Sequence, residues 1–400
     1  MPKTRKKKAE AFGGFYTIMD KFDLHTKILI GGDALRSMMQ GMRRAFIVTD
    51  SFMASSGRTA YLTDPMDAAG VEYRIYSEVG PDPDIDMVTA GVSVILDFQP
   101  DAVIAFGGGS PIDAAKAIMY FAARQAGLKD CPFIAIPTTS GTGSEVSKFA
   151  VITDRARGIK YPLIDECLLP DYAVLDAELT RSVPPRVTAD TGLDVLTHAI
   201  EAYVCTEANS FTDALAEKAV KLVYENLLTA YREPDNLEAR QNMHNASCMA
   251  GAAFSNAGLG LCHSMAHALG AQAHIPHGRA NAILLPYIMS YNAGCETSLT
   301  ETAKKYATLA GYIGLQSSSI RQSAINLIRT VRQFEKHMGV PQTIKEAGVE
   351  EAKFREMLEP MAEAALADRC TGTTPKQPTK EDIISLYELA YAGSSRVKRG

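Results

Sequence analysis

The 400-residue sequence has no tryptophan, no Cys-x-x-Cys pair and no apolar run that approaches the roughly 20 residues of a membrane-spanning helix. Its seven cysteines are scattered without an even framework, which is typical of reduced thiols in a cytosolic protein. A basic run followed by residues 11–19 faintly resembles a signal peptide, but two glycines dilute that stretch and acidic residues follow it. We therefore expect a cytoplasmic protein that is neither exported nor embedded in a membrane.

Acidic residues outnumber basic ones outside the first residues. The chain has a net charge of −5, and five of its first eight residues are basic, so the remaining residues carry a net charge of −10. A body this acidic binds polyanions poorly, which argues against nucleic acid as a partner. The hydrophobic content of 46% and the charged content of 22% exclude disordered, collagen-like and disulfide-stapled proteins, and the length predicts two or three domains.

The pattern of apolar residues changes near residue 185. Before it, short apolar runs alternate with helical patterns, which predicts βαβ units and a parallel sheet. The predicted strands are 45–49, 71–76, 102–106, 133–136 and 173–176, and the predicted helices are 63–70, 85–98 and 111–124. After Pro184-Pro185 only long helical patterns follow. The sequence thus predicts a basic extension (1–24), an α/β domain (25–185) and an all-helical domain (186–400), with a binding cleft between the two domains.

A glycine turn follows the third predicted strand. Gly107, Gly108 and Gly109 let backbone N–H groups approach an anion, and the helix that starts behind them offers its free N–H groups to a pyrophosphate. A second polar turn, 137–145, follows the next strand and is placed to line the same phosphates. The alternative is a tight βα turn that needs glycine only for its shape. No Walker lysine follows the glycines, so a P-loop is excluded.

Asp50 ends the first predicted strand. A carboxylate there accepts hydrogen bonds from an adenosine ribose and repels a 2′-phosphate, which favours NAD over NADP. A helix cap is the competing interpretation of the same residue.

Histidine is concentrated in one part of the predicted helical domain. Four of the eight histidines fall within fifteen residues: His263, His267, His274 and His277. Asp194 and His198 are four residues apart and share one helix face, as do His263 and His267. Two such helices facing each other, together with His277 after Pro276, could surround one cation. Imidazoles and a carboxylate without a thiolate suit divalent Fe, Zn, Co or Ni.

The same helices contain few basic residues. Between residues 187 and 300 there are only Lys218, Lys221, Arg232, Arg240 and Arg279. A phosphorylated or multiply anionic substrate would need more cationic groups. The sequence therefore favours a small, uncharged substrate.

Four motifs together resemble the iron-containing (group III) alcohol dehydrogenases, over about residues 25–392. The motifs are Gly107-Gly-Gly-Ser-Pro-Ile-Asp-Ala-Ala-Lys116, Pro137-Thr-Thr-Ser-Gly-Thr-Gly-Ser-Glu145, Asp194-x-x-x-His198 and His263-x-x-x-His267-x9-His277. Within that family, the stretches 158–163, 211–218 and 243–247 look most similar to the propanol dehydrogenases of bacterial microcompartments.

The resemblance implies a Rossmann-like NAD-binding domain, an all-α metal-binding domain and roles for individual residues. The implied metal ligands, for Fe²⁺ or alternatively Zn²⁺, are Asp194, His198, His263 and His277. The implied cofactor-binding residues are Asp50, Gly107, Gly108, Gly109, Ser110, Asp113, Thr138, Thr139 and Lys160. His267 is implied to relay a proton as the catalytic residue, and Phe149 and Phe254 to line the substrate pocket. His274 matches no role, so we interpret it as structural.

The activity implied is reversible hydride transfer between NAD(H) and a small primary alcohol/aldehyde pair such as 1-propanol/propanal or ethanol/acetaldehyde, with the metal as Lewis acid. One alternative is a lactaldehyde or 1,3-propanediol-type diol oxidoreductase. A second is a sugar-phosphate lyase or cyclase on the same scaffold, which the scarcity of basic residues disfavours. A third is a non-catalytic metal-binding assembly subunit. The resemblance also implies a homodimer or higher oligomer.

Residues 1–24 extend beyond the family pattern. Phe12, Phe15, Ile18, Met19 and Phe22 lie at helical spacing behind the basic residues. This spacing predicts an amphipathic peptide that docks on a partner such as a compartment shell or a lumen protein. The alternative is a disordered basic tail, which Gly13-Gly14 favours.

Overall fold

The computed structural model describes residues 21–393, apart from 127, 129, 130 and 156–158 and the side chains of 126, 159 and 160. Residues 1–20, which hold most of the predicted docking peptide, lie outside this range. Within the described part of the chain, the first half is α/β and the second half is helical, which confirms the predicted fold class.

Six parallel strands form the central sheet, in the order β1-β8-β5-β4-β2-β3. They are β1 (Lys27–Ile30), β2 (Arg44–Asp50), β3 (Glu72–Val79), β4 (Ala102–Gly107), β5 (Phe133–Pro137) and β8 (Tyr172–Leu175). Strands β6 (Phe149–Asp154) and β7 (Ile159–Ile164) pair as a separate antiparallel hairpin. Every residue of β4 and β5 is buried, as is typical of strands covered on both faces.

In the part of the first half that the structure describes, five helices accompany the sheet: α1 (Asp33–Met38), α2 (Ser51–Ser55), α3 (Ala60–Ala69), α4 (Ile85–Phe98) and α5 (Gly109–Ala126). They cover both faces, and one apolar cluster lies on each face of the sheet. The carboxyl ends of the parallel strands therefore meet at one edge of the sheet, where the glycine turn after β4 and the polar turn after β5 lie next to each other.

Nine helices make up the second half within the described residues. They are α6 (Pro185–Val204), α7 (Ser210–Arg232), α8 (Leu237–Ala257), α9 (Leu261–Ala273), α10 (His277–Ala293), α11 (Glu301–Tyr312), α12 (Ile320–His337), α13 (Glu351–Ala367) and α14 (Lys380–Ala392). Helix α6 begins at Pro185, where proline suits the first helical position because its missing N–H has no partner there. All of α6 from Thr188 to Val204 is buried except Thr191, so this helix runs through the core of the helical half.

The two halves are in direct contact next to the polar turn. Apolar residues of β8 and of the segment before β6 pack on Cys248 and Ala252 of α8. Gly143, at φ +62°, lies so close to Gly251 of α8 that a Cβ on either residue would come within 2.7 Å of the other's Cα. Two glycines thus allow the turn and the helix to touch through their backbones.

Most sequence-predicted elements have counterparts, and the differences have physical causes. Helix α4 has the predicted bounds, since Asp84 caps its start by accepting from the N–H of Met87. Strands β1, β6 and β7 were not predicted. β1 is an edge strand with no fully buried residue, and the β6–β7 hairpin packs only partly against the rest, so neither shows a buried apolar run.

No helix among the described residues is long and apolar enough to span a membrane.

Glu335 on α12 gives a pH-dependent contribution to stability. Its carboxyl is fully buried: Oε2 accepts from Nη1 of Arg332 at 2.9 Å, and Oε1 has no hydrogen-bond partner. Burial raises the pKa of Glu335 to about 8, although the charge of Arg332 opposes that rise. Because the folded protein binds this proton more tightly than the unfolded chain, the stabilisation is complete below the ordinary glutamate pKa and is lost as the pH rises through about 8.

Between about pH 5 and pH 8, the titration of Glu335 is expected to lower the free energy of unfolding by a few kcal/mol. We therefore expect Glu335→Gln to lack this decrease, so that its free energy of unfolding depends less on pH. Urea unfolding at several pH values measures the slope. Glu356→Gln, at an exposed position of the neighbouring helix α13, is the control and should leave the slope as it is in the unmodified protein. An unchanged slope in Glu335→Gln would show that this carboxyl titrates normally.

Candidate active site

Three helices bring one carboxylate and three imidazoles together. Asp194 and His198 lie on α6, His263 on α9, and His277 is the first residue of α10. One candidate ligand atom from each of the four lies within 4.8 Å of the others. Asp194, His198 and His263 are buried, whereas His277 is 42% exposed. The residues predicted to hold a metal therefore do form one cluster, which is open on one side.

Asn281, one turn after His277 on α10, fills the centre of this cluster. Its Nδ2 donates to Oδ1 of Asp194 at 2.7 Å and lies 3.1 Å from Nε2 of His263 and 3.2 Å from Nε2 of His277. The three acceptor atoms thus converge on a single donor. Although burial alone would raise it, the surrounding imidazoles and this amide hold the pKa of Asp194 below its ordinary value.

The donor set fits a divalent transition metal. A carboxylate oxygen and imidazole nitrogens that converge on one point are the ligands such ions prefer. The cluster also contains two buried polar atoms without a hydrogen-bond partner, Nδ1 of His198 and Oδ1 of Asn281. Unpartnered buried polar groups are costly, and a bound cation that reorganises the cluster offers them partners. Burial lowers the pKa of His263 far below its ordinary value, so its ring is neutral and able to act as a ligand.

Glu201 fixes the orientation of His263. It lies two turns after Asp194 on α6, and its Oε2 is 2.6 Å from Nδ1 of His263. Backbone N–H groups of Gly260 and Cys262 also donate to this carboxylate, at 3.1 Å and 2.7 Å. Burial raises the pKa of Glu201 to about 7, and these N–H groups oppose the rise. When His263 donates from Nδ1 to Glu201, its Nε2 is left with a lone pair that faces the cluster.

We expect Glu201→Gln to lower the affinity for a divalent metal by roughly 10- to 100-fold, since partners of this kind set the tautomer and basicity of a ligand histidine. Competition with a chelator, followed by metal analysis of the protein, measures the affinity. Glu207→Gln, just after the same helix at an exposed position, is the matched control. Equal affinity in Glu201→Gln and the control would remove this role.

His267 lies one turn after His263 on α9, at the exposed side of the cluster. Its ring stacks on His277 with centroids 5.3 Å apart. Its Nδ1 is 3.0 Å from Oδ2 of Asp368, which follows α13. Burial acts to raise the pKa of Asp368, but the hydrogen bond and charge of His267 outweigh it and bring that pKa to about 2. An ionised Asp368 accepts from Nδ1 of His267 and leaves Nε2 free for proton exchange.

Two phenylalanines connect this cluster to the first half of the chain. The ring of Phe254 stacks on His198 at 4.7 Å and lies 6.2 Å from the ring of Phe149, at the start of β6. Both residues predicted to line the substrate pocket therefore lie beside the histidine cluster, one from each half of the chain.

The glycine turn is tightly built. Helix α5 begins at Gly109, directly after β4, so the N–H groups of its first turn have no partner within the helix. Gly107 has φ +154°, and a Cβ there would lie 2.6 Å from Cγ of Pro111. A Cβ on Gly109 would lie 2.7 Å from Cγ2 of Thr142. Glycine is therefore required at both positions, and the bare backbone gives an anion access to the helix N-terminus.

The other predicted cofactor residues lie around this turn. Thr138 donates its N–H to the carbonyl of Gly107 at 2.9 Å, and Thr139 lies against Gly108. Asp50 accepts from the N–H of Met53 at 2.8 Å and so caps α2, as the competing interpretation expected, while its second oxygen lies against Gly107. Ser110 lies in the first turn of α5. The side chain of Lys160 lies outside the described part of the structure.

Both carboxylate oxygens of Asp113 accept hydrogen bonds from within the protein. Its Oδ1 accepts from Oγ of Ser144 at 2.6 Å and its Oδ2 from the N–H of Val151 at 3.1 Å. Lys116, one turn further along α5, is buried and donates to the carbonyls of Ser147 and Phe149 at 2.7 Å and 2.8 Å. This pair fastens the polar turn and the start of β6 to α5, and thereby fixes the position of Phe149.

The polar turn also contacts α6, the helix that carries Asp194 and His198. A Cβ on Gly141 would lie 2.8 Å from Cβ of Thr191, one turn before Asp194 on α6. His244 of α8 bridges the same turn, with Nδ1 3.0 Å from Oγ of Ser140 and Nε2 3.2 Å from the carbonyl of Pro137. Burial lowers the pKa of His244 to about 4, so the ring is a neutral bridge. The turn that borders the phosphate position therefore also borders the histidine cluster.

A glycine turn of the kind that binds a dinucleotide, next to a polar turn that contacts the helix of Asp194 and His198, is the arrangement of a metal-dependent dehydrogenase. Sequence comparison narrows this class. Residues 25–177 match the family model "Iron-containing alcohol dehydrogenase", and residues 188–391 match "Fe-containing alcohol dehydrogenase family, C-terminal". The chain belongs to the iron-containing alcohol dehydrogenase family, and it is an oxidoreductase of alcohols and aldehydes.

Individual relatives cover nearly the whole chain. An NADPH-dependent butanol dehydrogenase of Clostridium saccharobutylicum is 41% identical over 94% of this chain and 99% of the relative. The 1-propanol dehydrogenase PduQ of Salmonella typhimurium is 44% identical over 92% of this chain and 99% of the relative. Among solved structures, a sulfoacetaldehyde reductase of Bifidobacterium kashiwanohense in complex with NAD⁺ is 27% identical, has a TM-score of 0.84, and is matched over 94% of this chain and 100% of that one.

Proposed function

We propose that this protein interconverts small primary alcohols and aldehydes, such as 1-propanol and propanal or ethanol and acetaldehyde, using NAD(H) and divalent iron. The convergence of Asp194, His198, His263 and His277 within 4.8 Å beside the glycine-turn half of the chain carries the proposal. We propose that residues 25–185 bind the cofactor and residues 186–400 the metal, with the reaction where the two meet.

The residues of the site would divide the work as follows. A bound divalent metal supplies Lewis-acid polarisation of the substrate oxygen. Asp194 and the three imidazoles hold it, and Glu201 keeps His263 in the ligating tautomer. Phe149 and Phe254 cover the histidine cluster with apolar surface, which excludes water from the reacting atoms. His267, oriented by Asp368, passes the proton between the substrate side and solvent.

We propose NADH as the preferred cofactor, because the carboxylate of Asp50 lies against Gly107, where an adenosine ribose would be bound. A 2′-phosphate would meet this negative charge, and like charges in contact cost several kcal/mol. We expect Asp50→Ser to raise kcat/KM for NADPH relative to NADH by roughly tenfold or more. Initial rates with each cofactor measure the ratio, and Asp33→Ser on α1 is the control. An unchanged ratio would assign Asp50 to helix capping alone.

The substrate is small and uncharged, since the two buried arginines of the helical half, Arg240 and Arg279, are already engaged. Arg279 pairs with Asp190 through two hydrogen bonds at 3.1 Å and 2.6 Å, and Arg240 donates to Oγ1 of Thr188 at 2.9 Å. A phosphorylated substrate would find neither guanidinium available. Arg369 lies 5.9 Å from the ring of Phe149, and its side chain is exposed to solvent and not buried in the pocket.

An aldehyde panel with anaerobically prepared, iron-loaded protein tests the substrate. We expect the highest kcat/KM with propanal or a neighbouring straight-chain aldehyde, and lower values with lactaldehyde, 3-hydroxypropanal and sulfoacetaldehyde. A preference for a hydroxylated aldehyde would support the diol oxidoreductase instead. Steady NADH consumption with any aldehyde would rule out both a lyase that uses NAD transiently and a non-catalytic assembly subunit.

We propose that residues 1–24 dock on a partner such as a microcompartment shell protein. The peptide is basic. Near its C-terminal end the ring of Phe22 stacks on the exposed Phe211 at 5.6 Å, which supports attachment of this end to the helical half. Deletion of residues 1–20 should abolish co-sedimentation with shell protein while leaving the activity unchanged. Unchanged co-sedimentation would contradict the docking role.

We also propose a homodimer or higher oligomer, because the edge strand β1 presents Ile28 and Ile30 at 36% and 62% exposure. Sedimentation equilibrium measures the state, and a monomer at micromolar concentration would contradict it.

A further inference from the structure

A second group of potential metal ligands lies beside the first. His267 of α9, Asp368 after α13 and Cys370 each offer one donor atom, and these three atoms lie within 4.8 Å of one another. Cys370 belongs to the short 3₁₀ helix Arg369–Thr373. None of the three is among the four residues assigned to the catalytic metal.

The carboxylate of Asp368 is the hub of this group, and its surroundings are rigid. Its Oδ2 accepts from Nδ1 of His267 at 3.0 Å, and its Oδ1 accepts from Oγ of Ser264 at 3.1 Å and from the N–H of Cys370 at 2.8 Å. Thr373 fastens the same 3₁₀ helix to the start of α9 by donating to the carbonyl of Leu259 at 2.6 Å. The three donors are therefore held in place before any ligand arrives.

The group is reachable from solvent. The side chains of His267 and Asp368 are 45% and 23% exposed, whereas in the first cluster His277 is 42% exposed and His263 and Asp194 are only 1% and 5% exposed. A metal ion in solution would therefore reach His267 and Asp368 without displacing an ion held by the buried ligands of the first cluster.

The donor chemistry also differs between the two groups. The first cluster offers imidazoles and a carboxylate but no sulfur, whereas the second combines one imidazole nitrogen, one carboxylate oxygen and one cysteine sulfur. Thiolate favours Zn²⁺ over harder ions, and a three-ligand zinc site completes its tetrahedron with water. We propose that His267, Asp368 and Cys370 form a second, solvent-accessible site for Zn²⁺, which inhibits the enzyme when occupied.

The inhibitory effect rests on the proposed function of His267 as proton relay. Binding of Zn²⁺ through Nδ1 replaces the hydrogen bond between His267 and Asp368 with bonds to the ion. The Nδ1 proton is transferred to Nε2 of the same ring by way of water, and the thiol proton of Cys370 is released to water. The imidazole is then bound to the metal and unable to exchange a proton. Proton transfer by a positioned side chain contributes about 10²- to 10⁴-fold to a rate, so saturating zinc is expected to lower turnover about 100-fold.

Cobalt absorption tests the site directly. The protein is first loaded with one Zn²⁺ per chain, which is spectroscopically silent, and is then titrated with Co²⁺. The site predicts one further ion per chain and a thiolate-to-cobalt charge-transfer band in the near ultraviolet. Cobalt that exchanges into the first cluster gives no such band, because that cluster has no thiolate.

Two cysteine variants complete the experiment. Cys370→Ala should abolish the band and make turnover of the iron-loaded enzyme insensitive to added Zn²⁺, with its activity in the absence of zinc unchanged. Cys167→Ala, which removes an exposed cysteine on the other half of the chain, should keep both effects. A missing band, or a band that survives Cys370→Ala, would overturn the site and leave the proposed function standing. A band that Cys370→Ala abolishes, with turnover unaffected by zinc, would establish the site and refute the proton role of His267.

Discussion

His263→Ala is expected to lose both the bound metal and the activity. His263 is 1% exposed, its Nε2 faces Asp194 and His277, and Glu201 holds its other nitrogen at 2.6 Å. Alanine would remove a central ligand and leave the carboxylate of Glu201 buried beside a cavity. Since the metal is expected to contribute several kcal/mol to the transition state, kcat/KM should fall at least about 1000-fold.

Metal analysis of the purified variant and initial rates with NADH and propanal measure the two losses together. His274→Asn is the matched control. His274 is exposed, ends α9 in the left-handed conformation (φ 55°), and matches no role in the site, and asparagine tolerates that conformation. The control should keep full metal content and activity. An active His263→Ala variant with a full complement of metal would refute the ligand assignment.

His267→Ala is expected to lower turnover by about 10²- to 10⁴-fold without loss of metal, because a proton relay contributes about that much. The residue lies one turn from His263 on the same helix, but its side chain is 45% exposed and points to Asp368 at 3.0 Å. Its removal takes away the ring that stacks on His277 but leaves all four proposed ligands in place.

The measurement is kcat at several pH values, paired with metal content by mass spectrometry. Asp368→Asn separates orientation from proton transfer: it should lower kcat less than His267→Ala does, since asparagine still accepts a hydrogen bond from Nδ1. Exogenous imidazole should restore part of the activity of His267→Ala and none of that of His263→Ala. Loss of metal from His267→Ala would instead identify His267 as a metal ligand.

The fold was predictable wherever a strand or helix has one strong pattern. Strands β4 and β5 are buried on both faces and appear as unbroken apolar runs, and α4 has both its amphipathic spacing and its cap in the sequence. Strand β1 could not be recognised, because its burial comes only from pairing with β8 and leaves Ile30 exposed. Such a strand depends on tertiary contacts that a local pattern does not contain.

The residues of the candidate site were likewise predictable only where they share a helix. The i,i+4 pairs predicted that α6 and α9 carry metal ligands. Helical spacing could also have pointed to Glu201, two turns after Asp194, and to Asn281, one turn after His277. Asp368 gave no signal, because it is 101 residues from His267 and meets it only in the folded chain. Lys116 was visible only as part of a motif, since the burial that gives a lysine its carbonyl partners is not visible in the sequence.

We propose direct hydride transfer between the nicotinamide and a small aldehyde at a metal held by the histidine cluster. The measurement is the fate of deuterium when iron-loaded protein is given propanal and NADH deuterated at both C4 positions, under anaerobic conditions. We predict one deuterium at C1 of 1-propanol for each NADH consumed, and complete loss of this transfer after chelation of the metal. Product without deuterium, or transfer that chelation leaves unchanged, would contradict the account.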